Sequence, residues 1–409
     1  MSKASTKIER VIAALNHEEG DRVPVAEFFW TSFVRRCKAE LGVGDDFDPY
    51  CFWDLDLVVI SPNMDPHITG IEVLEDTADY KLMRTGFGAT VERKRGYPMP
   101  HYISFETDTF ERMEALRFDD PRDPRRYHEA IDDQINGIGD EVNLGLPSFV
   151  DRVDAYSDDF CVFGSVCEIQ ESLWRIIGAE NVYYKLAEDP ERLAEFVARL
   201  GDFLVGIVEG QIEAARGKLS GIYVWGDVAS TREMLISPKM WRRLHKPQLK
   251  RLCDRIHQAG LKVIYHGCGN ALPIFEDLIE VGVDGYNPLE AKAGLDVVEL
   301  KRQFGGRLAM VGNINVQVLA TNDRERVRIE VLRKLNAAKG GGYILQSDHS
   351  VPDSVDPHNY DYMVRLAHEY GGFPLKLGDC DIDVECVARR LPRRHVGKQP
   401  SRARLLGME

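Results

Sequence analysis

The sequence predicts an α/β protein, and more specifically a (β/α)8 TIM barrel. Three observations support this. Eight short apolar runs recur along the 409 residues, the spacers from the third run onward are mostly helical, and the runs end in polar side chains. Apolar strands that alternate with helices are typical of a parallel sheet covered on both faces. Eight such units favour a closed barrel, although an open doubly wound sheet can reach the same count.

The eight apolar runs are assigned to the barrel strands. In chain order they are residues 23–29, 55–61, 160–166, 221–227, 262–268, 284–290, 308–314 and 343–349. The spacers 188–217 and 237–260 carry apolar residues three and four positions apart, as amphipathic helices do. We therefore expect the barrel to occupy residues 1–375.

Two regions fall outside this repeat. Residues 67–115 contain an alternating, glycine-punctuated stretch, TADYKLMRTGFGATVERKRG, and predict a hairpin inserted after the second strand. Residues 376–409 end in ARRLPRRHVGKQPSRARLLGME, which is basic and has no apolar period. This segment is expected to be a C-terminal tail.

Composition narrows the functional class. The net charge is −14, which argues against nucleic acid and anionic membranes as partners. The first residues, MSKASTKIERVIAAL, are polar and helical rather than a signal peptide, and no apolar run is long enough to span a membrane. The eight cysteines form no disulfide-like framework. A cytoplasmic protein with reduced thiols is predicted, and a homodimer is an open alternative to a monomer.

Polar side chains follow the apolar runs with regularity. They are Asn63, Glu168, Asp227, His266 with Cys268, Asn287 with Glu290, Asn313 with Asn315, and Asp348 with His349. Active sites of barrels lie where the strands end, so these side chains are expected at one mouth of the barrel. Trp225, within the fourth run, is a further candidate there.

The motif His266-Gly-Cys268 offers an imidazole and a thiol on the same face of a strand. Nitrogen and sulfur ligands suit zinc. The alternative is a hydrogen-bonded imidazole beside a buried structural thiol. His349 favours the metal, because a barrel would bring the ends of the fifth and eighth runs to the same mouth.

The order of these motifs resembles the uroporphyrinogen decarboxylase superfamily. Motifs that recur in that superfamily occur here in the same order, as GDRVPV, HGCGN, LAMVGNINVQVLA and GGGYILQSDHSVPDSVDPHNYDYMV. The resemblance covers roughly residues 8–370 and is strongest after residue 220. It implies a (β/α) barrel with one of two activities. One is decarboxylation of a porphyrinogen without a cofactor. The other is zinc-dependent methyl transfer between corrinoid proteins and acceptors.

The resemblance is closer to the methyltransferase arm. The decarboxylase arm carries an Arg-rich element after its first strand, whereas this chain has AEFFWTSFVRR. The position of Asn63 corresponds to an aspartate that binds the substrate in the decarboxylase arm. His266 and Cys268 match the H-x-C motif of the methyltransferase arm, and His349 replaces that arm's cysteine after the eighth strand.

The predicted function is zinc-dependent methyl transfer between a methylated substrate or corrinoid protein and an acceptor, of the O-demethylase or corrinoid methyltransferase type. The corrinoid would be carried by a separate protein. The alternatives are a cofactor-free decarboxylase of a tetrapyrrole or smaller carboxylate, and a non-catalytic barrel that binds a small ligand. The predicted roles are metal ligation by His266, Cys268 and His349, catalysis by Asp227, His349 and Glu290, and substrate binding by Asn63, Glu168, Trp225, Asn287, Asn313 and Asp348.

Overall fold

The computed structural model describes residues 5–95, 100–133 and 143–377. Its strands are β1 (Leu57–Val59), β2 (Glu72–Asp76), β3 (Tyr80–Arg84), β4 (Ala89–Lys94), β5 (His101–Phe105), β6 (Ile131–Asp133), β7 (Asn143–Leu146), β8 (Cys161–Cys167), β9 (Gly221–Trp225), β10 (Lys262–His266), β11 (Gly285–Asn287), β12 (Ala309–Ile314) and β13 (Tyr343–Ser347).

The helices precede, separate and follow these strands along the chain. They are α1 (Lys7–Leu15), α2 (Thr31–Glu40), α3 (Pro49–Phe52), α4 (Phe110–Ala115), α5 (Arg125–His128), α6 (Phe149–Tyr156), α7 (Ile169–Ile177), α8 (Ala179–Glu188), α9 (Pro190–Ala214), α10 (Pro238–Leu244), α11 (Lys246–Gln258), α12 (Phe275–Val281), α13 (Val297–Phe304), α14 (Val316–Leu319), α15 (Arg324–Leu335) and α16 (Pro357–Tyr370).

A curled parallel sheet of seven strands forms the centre of the molecule. Its order is β1-β8-β9-β10-β11-β12-β13, so each strand is added in chain order beside the previous one. A doubly wound sheet would reverse its strand order at a switch point, and this sheet does not. The predicted α/β class and a TIM-barrel-like arrangement are therefore confirmed. Seven of the eight predicted apolar runs contain a strand of this sheet.

The first predicted run, residues 23–29, lies between the two edges of the sheet. Val25 forms a parallel bridge with Leu345 in β13, and Ala26 forms one with Leu57 in β1. The buried carboxylate of Asp56 fixes this run, because it accepts hydrogen bonds from the Val25 amide at 2.7 Å and from the guanidinium of Arg22 at 2.7 Å. The run thus contacts both edge strands through single bridges rather than through a continuous ladder.

The strands of the main sheet are buried on both faces. Every residue of β8, β9, β11, β12 and β13 is buried, as expected for parallel strands covered by helices. The long helix α9 follows Asp189, whose side chain caps the amides of Glu191 and Arg192, and it packs its apolar face against β8 and α11. This rigid scaffold positions the ends of the strands.

The segment predicted as an inserted hairpin forms a larger unit. Strands β2 to β5 make a four-stranded antiparallel sheet, so a single hairpin over residues 67–115 is not confirmed. Gly88, with φ +74°, lies in one of its turns, and such a φ favours glycine. The ring of Tyr102 in β5 packs edge-on against Trp174 in α7, with 5.2 Å between centroids. The sheet therefore covers the helix that follows β8.

The predicted basic tail, residues 376–409, lies outside the described residues from position 378 onward. Within the described ranges, none of the helices combines the length and the apolar composition needed to cross a bilayer.

Candidate metal centre

Five side chains that can ligate a metal meet at the carboxyl ends of the strands. They form two groups that share one cysteine. The first group is Asp227, His266 and Cys268, and the second is Cys268, Glu290 and His349; within each group the donor atoms lie within 4.8 Å of one another. The structure therefore places the Cys268 sulfur between the two predicted histidine ligands, and His266 and His349 fall in different groups.

The loop after β10 holds Cys268 in place. Gly269 has φ +81°, and a Cβ there would lie 2.3 Å from the Ser230 carbonyl oxygen, so only glycine fits. The amide of Cys268 donates to Asp227 Oδ1 at 2.8 Å, and the amide of Gly269 donates to Glu290 Oε2 at 3.1 Å. The loop therefore binds one carboxylate on each side of the thiol.

Hydrogen bonds fix the tautomer of His266. Asn287 donates its Nδ2 to the Val311 carbonyl at 3.3 Å and to Gln346 Oε1 at 3.0 Å, so its Oδ1 faces the imidazole. Since Oδ1 can only accept, the 2.6 Å contact requires a proton on His266 Nδ1. The Nε2 lone pair is then directed at the Cys268 sulfur, 3.5 Å away.

His349 has the same tautomer as His266, but a backbone carbonyl rather than a side-chain amide fixes it. Its Nδ1 lies 3.0 Å from the carbonyl oxygen of Ser350, which can only accept, so Nδ1 carries the proton. This leaves its Nε2 available as a metal ligand in the second group. Both histidines thus present the nitrogen that a metal would need.

The first group fits a zinc ion. With a Zn–S distance of about 2.3 Å and a Zn–N distance of about 2.0–2.1 Å, a tetrahedral site separates sulfur and nitrogen by about 3.6 Å. The observed distance from Cys268 Sγ to His266 Nε2 is 3.5 Å, and that from His266 Nε2 to Asp227 Oδ1 is 3.7 Å. A thiol, an imidazole and a carboxylate are also the donors that zinc selects.

The electrostatics of the site favour a cation. Burial raises the pKa of the Cys268 thiol well above its ordinary value, and the negative charges of Asp227 and Glu290 raise it further. Lys292 offsets part of that charge, with its Nζ 3.3 Å from Glu290 Oε1. A divalent ion would stabilise the thiolate that these surroundings otherwise disfavour.

The residues predicted to bind substrate divide into two sets. Two of them lie at the candidate metal centre. The ring centroid of Trp225 is 5.0 Å from that of His266, and Asn287 contacts His266 directly. Glu168 is 1% exposed and faces another buried side chain, with its Oε2 3.5 Å from Nδ1 of His245. It is thus enclosed by protein at the start of α7.

The other three predicted residues bind nearby backbone. Asn313 donates to the Leu295 carbonyl and accepts from the Val297 amide. Asp348 accepts from the amides of Ala291 and Val316, at 3.0 and 2.8 Å. Asn63 accepts from the Asp65 amide at 3.0 Å. These contacts hold the loops around the mouth, and substrate binding by these side chains remains a prediction.

Sequence reasoning missed Trp30. Its ring centroid lies 6.2 Å from that of His349, and its buried Nε1 has no hydrogen-bond partner. Trp225 Nε1, on the side of His266, is also buried without a partner. A signal existed, because Trp30 directly follows the first apolar run. Two indole donors therefore flank the two histidines and can each meet an acceptor atom of a ligand.

Fold and site together define a TIM-barrel-like protein with a candidate metal centre at the carboxyl ends of its strands. The family model "Uroporphyrinogen decarboxylase (URO-D)" matches residues 172–370. The predicted resemblance to this superfamily is confirmed over that part of the chain, which contains all five metal-ligating candidates.

Curated relatives match about half of the chain. The uroporphyrinogen decarboxylase of Aeromonas salmonicida is 22% identical over 204 residues, which are 47% of this chain and 53% of the relative. That of Thermus thermophilus is 28% identical over 198 residues, 47% of this chain and 50% of the relative. The match thus spans about half the length of these curated relatives.

Among solved structures, a methyltransferase from Methanosarcina mazei aligns with a TM-score of 0.59 at 16% identity. The alignment covers 89% of this chain and 99% of that one. At this identity the likeness shows a shared fold over nearly the whole chain.

Proposed function

We propose that this protein is a zinc-dependent methyltransferase whose metal centre is built on His266 and Cys268. The observation that carries the proposal is the convergence of Asp227, His266, Glu290 and His349 on the Cys268 sulfur. His349, which lies in the other group, would move towards His266 to become a third ligand, and Asp227 or Glu290 would be a fourth ligand or a base. When bound, zinc lowers the pKa of a coordinated thiol or water and so supplies a nucleophile at neutral pH.

The protein's own groups have separable tasks in this proposal. Asn287 keeps the proton on His266 Nδ1 and orients the ring. The side chain of Asp227 is 45% exposed, so it can meet an incoming acceptor and take its proton. Glu290 is 3% exposed and bound to Lys292 and the Gly269 amide, which suits a fixed charge rather than a mobile base. Trp30 and Trp225 would donate to the methylated substrate.

The methyl carrier would be a corrinoid on a separate protein, with a small molecule as donor or acceptor. The M. mazei structural relative is named a methyltransferase, and that name supports the proposal. We also take residues 23–29 as the eighth strand of a (β/α)8 barrel, because they bridge to both edge strands.

The second candidate function is cofactor-free decarboxylation, the activity in the names of the curated relatives. That reaction would need cations near the first strand to grip carboxylates. Arg22 is instead bound to the buried carboxylate of Asp56 at 2.7 Å. This pairing favours the methyltransferase.

Metal analysis and activity separate the two candidates. Protein purified without chelator should contain about one zinc per chain and transfer methyl groups between a methylated corrinoid and a thiol. Cys268→Ala should lose both properties, because it removes the thiolate common to both groups. Cys51→Ala is the matched control, since Cys51 lies on the surface at α3. Full activity in a metal-free protein would overturn the proposal, and carbon dioxide release from a porphyrinogen would establish the alternative.

A further inference from the structure

A cavity of about 170 Å³ lies in the outer layer of helices, between α13 and the end of α15. All four of its charged lining residues are cations, although the protein as a whole carries a net charge of −14. Because α13 ends just before β12 begins, the cavity faces away from the carboxyl ends of the strands. Its lining consists of Val298, Lys301, Arg302, Arg333, Asn336, Ala337 and Lys339.

Two helix ends bring these cations together. Lys301 and Arg302 lie in the last turn of α13, and Arg333 lies in the last turn of α15. Positive side chains are favoured at helix carboxyl ends because the carbonyl groups there are unpaired. Two such ends that line one cavity bring three cationic side chains together.

The two arginines of the cavity each pair with one carboxylate. Arg302 contacts Glu299 at 3.1 Å, and Arg333 contacts Asp296 at 2.6 Å. The arginine side chains are 44% and 22% exposed, respectively. The Arg302 pair is solvent-exposed and therefore weak, and each guanidinium has further donors to offer.

Lys301 is enclosed at the wall of the cavity. Its Nζ donates to the carbonyl oxygen of Gly341 at 2.6 Å, and burial lowers its pKa below the ordinary lysine value. A Cβ at Gly342 would lie 2.9 Å from this Nζ, so the backbone approaches the amine closely. An ammonium group held against a neutral carbonyl would be stabilised by a negatively charged neighbour.

We propose that this cavity binds a tetrahedral oxyanion, either inorganic phosphate or the phosphate group of a small phosphomonoester. The volume far exceeds the roughly 10–15 Å³ that one buried water requires, so such an anion fits. The guanidinium groups of Arg302 and Arg333 supply paired donors that match phosphate oxygens, and Lys301 and Lys339 supply point charges. This binding is independent of the proposed methyl transfer.

Calorimetric titration of the full chain with sodium phosphate, at constant ionic strength, tests the proposal. One saturable site per chain is expected. The double variant Arg302→Gln/Lys339→Gln should weaken binding at least about tenfold, since it removes two positively charged hydrogen-bond donors. Lys250→Gln/Arg251→Gln on α11 is the matched control, because it also removes two exposed cations that pair with carboxylates.

Two further titrations identify where the phosphate binds and in which form. Phosphate can bind a metal, so the titration is repeated on Cys268→Ala, where the site should persist. Glycerol phosphate in place of phosphate separates the two sources of the anion, since tighter binding indicates a phosphomonoester ligand. Absence of saturable binding, or equal weakening in the cavity variant and the control, would overturn the proposal. Should the double variant fail to fold, Arg302→Gln alone gives the same comparison.

Discussion

Replacement of Asn287 by leucine tests whether the metal centre depends on the orientation of His266. The Asn287 amide contacts His266 Nδ1 at 2.6 Å, Gln346 Oε1 at 3.0 Å and the Val311 carbonyl at 3.3 Å, and Asn287 is fully buried. Without it, the imidazole loses the acceptor that fixes its tautomer. Loss of such a partner typically weakens metal binding about 10–100-fold, or about 1.4–2.7 kcal/mol.

Competition against a chromogenic zinc chelator measures this change in dissociation constant. Asn287→Leu also removes three buried hydrogen bonds, at about 1–3 kcal/mol each, so stability must be measured in parallel by urea unfolding. Asn359→Leu is the control, because it removes a buried amide that binds the Leu319 and Thr321 carbonyls on another side of the molecule. Zinc affinity unchanged in folded Asn287→Leu, or reduced equally in Asn359→Leu, would refute the reasoning.

Three further predictions concern charge. Since the pKa of Cys268 is raised, zinc binding must displace a proton from this thiol, so the apparent affinity for zinc should rise about tenfold per pH unit below that pKa. Asp227→Asn should lower the pKa of Cys268 and so speed alkylation of the metal-free protein by iodoacetamide. Burial raises the pKa of Glu27 from 4.5 to about 8, so its contribution to folding is complete below about pH 4.5 and lost by about pH 8. Glu27→Gln should therefore gain stability relative to the parent between pH 5 and pH 8 in urea unfolding, and a constant difference would contradict this. Asp56→Ala should cost about 3–5 kcal/mol by the same assay, because it removes the buried carboxylate that Arg10 and Arg22 share and frees the Val25 amide; a loss below about 1 kcal/mol would show that Asp56 does not anchor the first run.

Apolar runs in the sequence were sufficient to predict the main sheet, because a strand buried on both faces needs a continuous apolar segment. The first run was harder to interpret. Pro24 lacks an amide hydrogen and Glu27 interrupts the apolar pattern, which is consistent with isolated bridges in place of a regular strand. The inserted region was underestimated for another reason. Alternation predicts strands but not how many pair, and residues 72–105 contain four.

The candidate site, like the fold, could be predicted from the sequence only in part. The spacing of His266 and Cys268 predicted their common direction, since alternate residues of a strand share a face. The task of Asn287 could not be predicted, because it depends on the register that places Asn287 beside His266 in neighbouring strands. The position of Trp30 directly after the first apolar run was a signal, but only the fold shows that its ring lies close to that of His349.

The arrangement of the two carboxylates has a chemical consequence that no spacing in the sequence contains. Asp227 and Glu290 appeared equivalent as a fourth ligand or base, yet they lie in different groups and share only the Cys268 sulfur. One is half-exposed and the other is buried beside Lys292. A carboxylate that reaches solvent can meet a substrate and exchange a proton with it, whereas a buried one paired with a lysine is enclosed by protein. The asymmetry around a single thiol therefore separates a candidate base from a fixed charge, and it arises because β9 and β11 flank β10 on opposite sides.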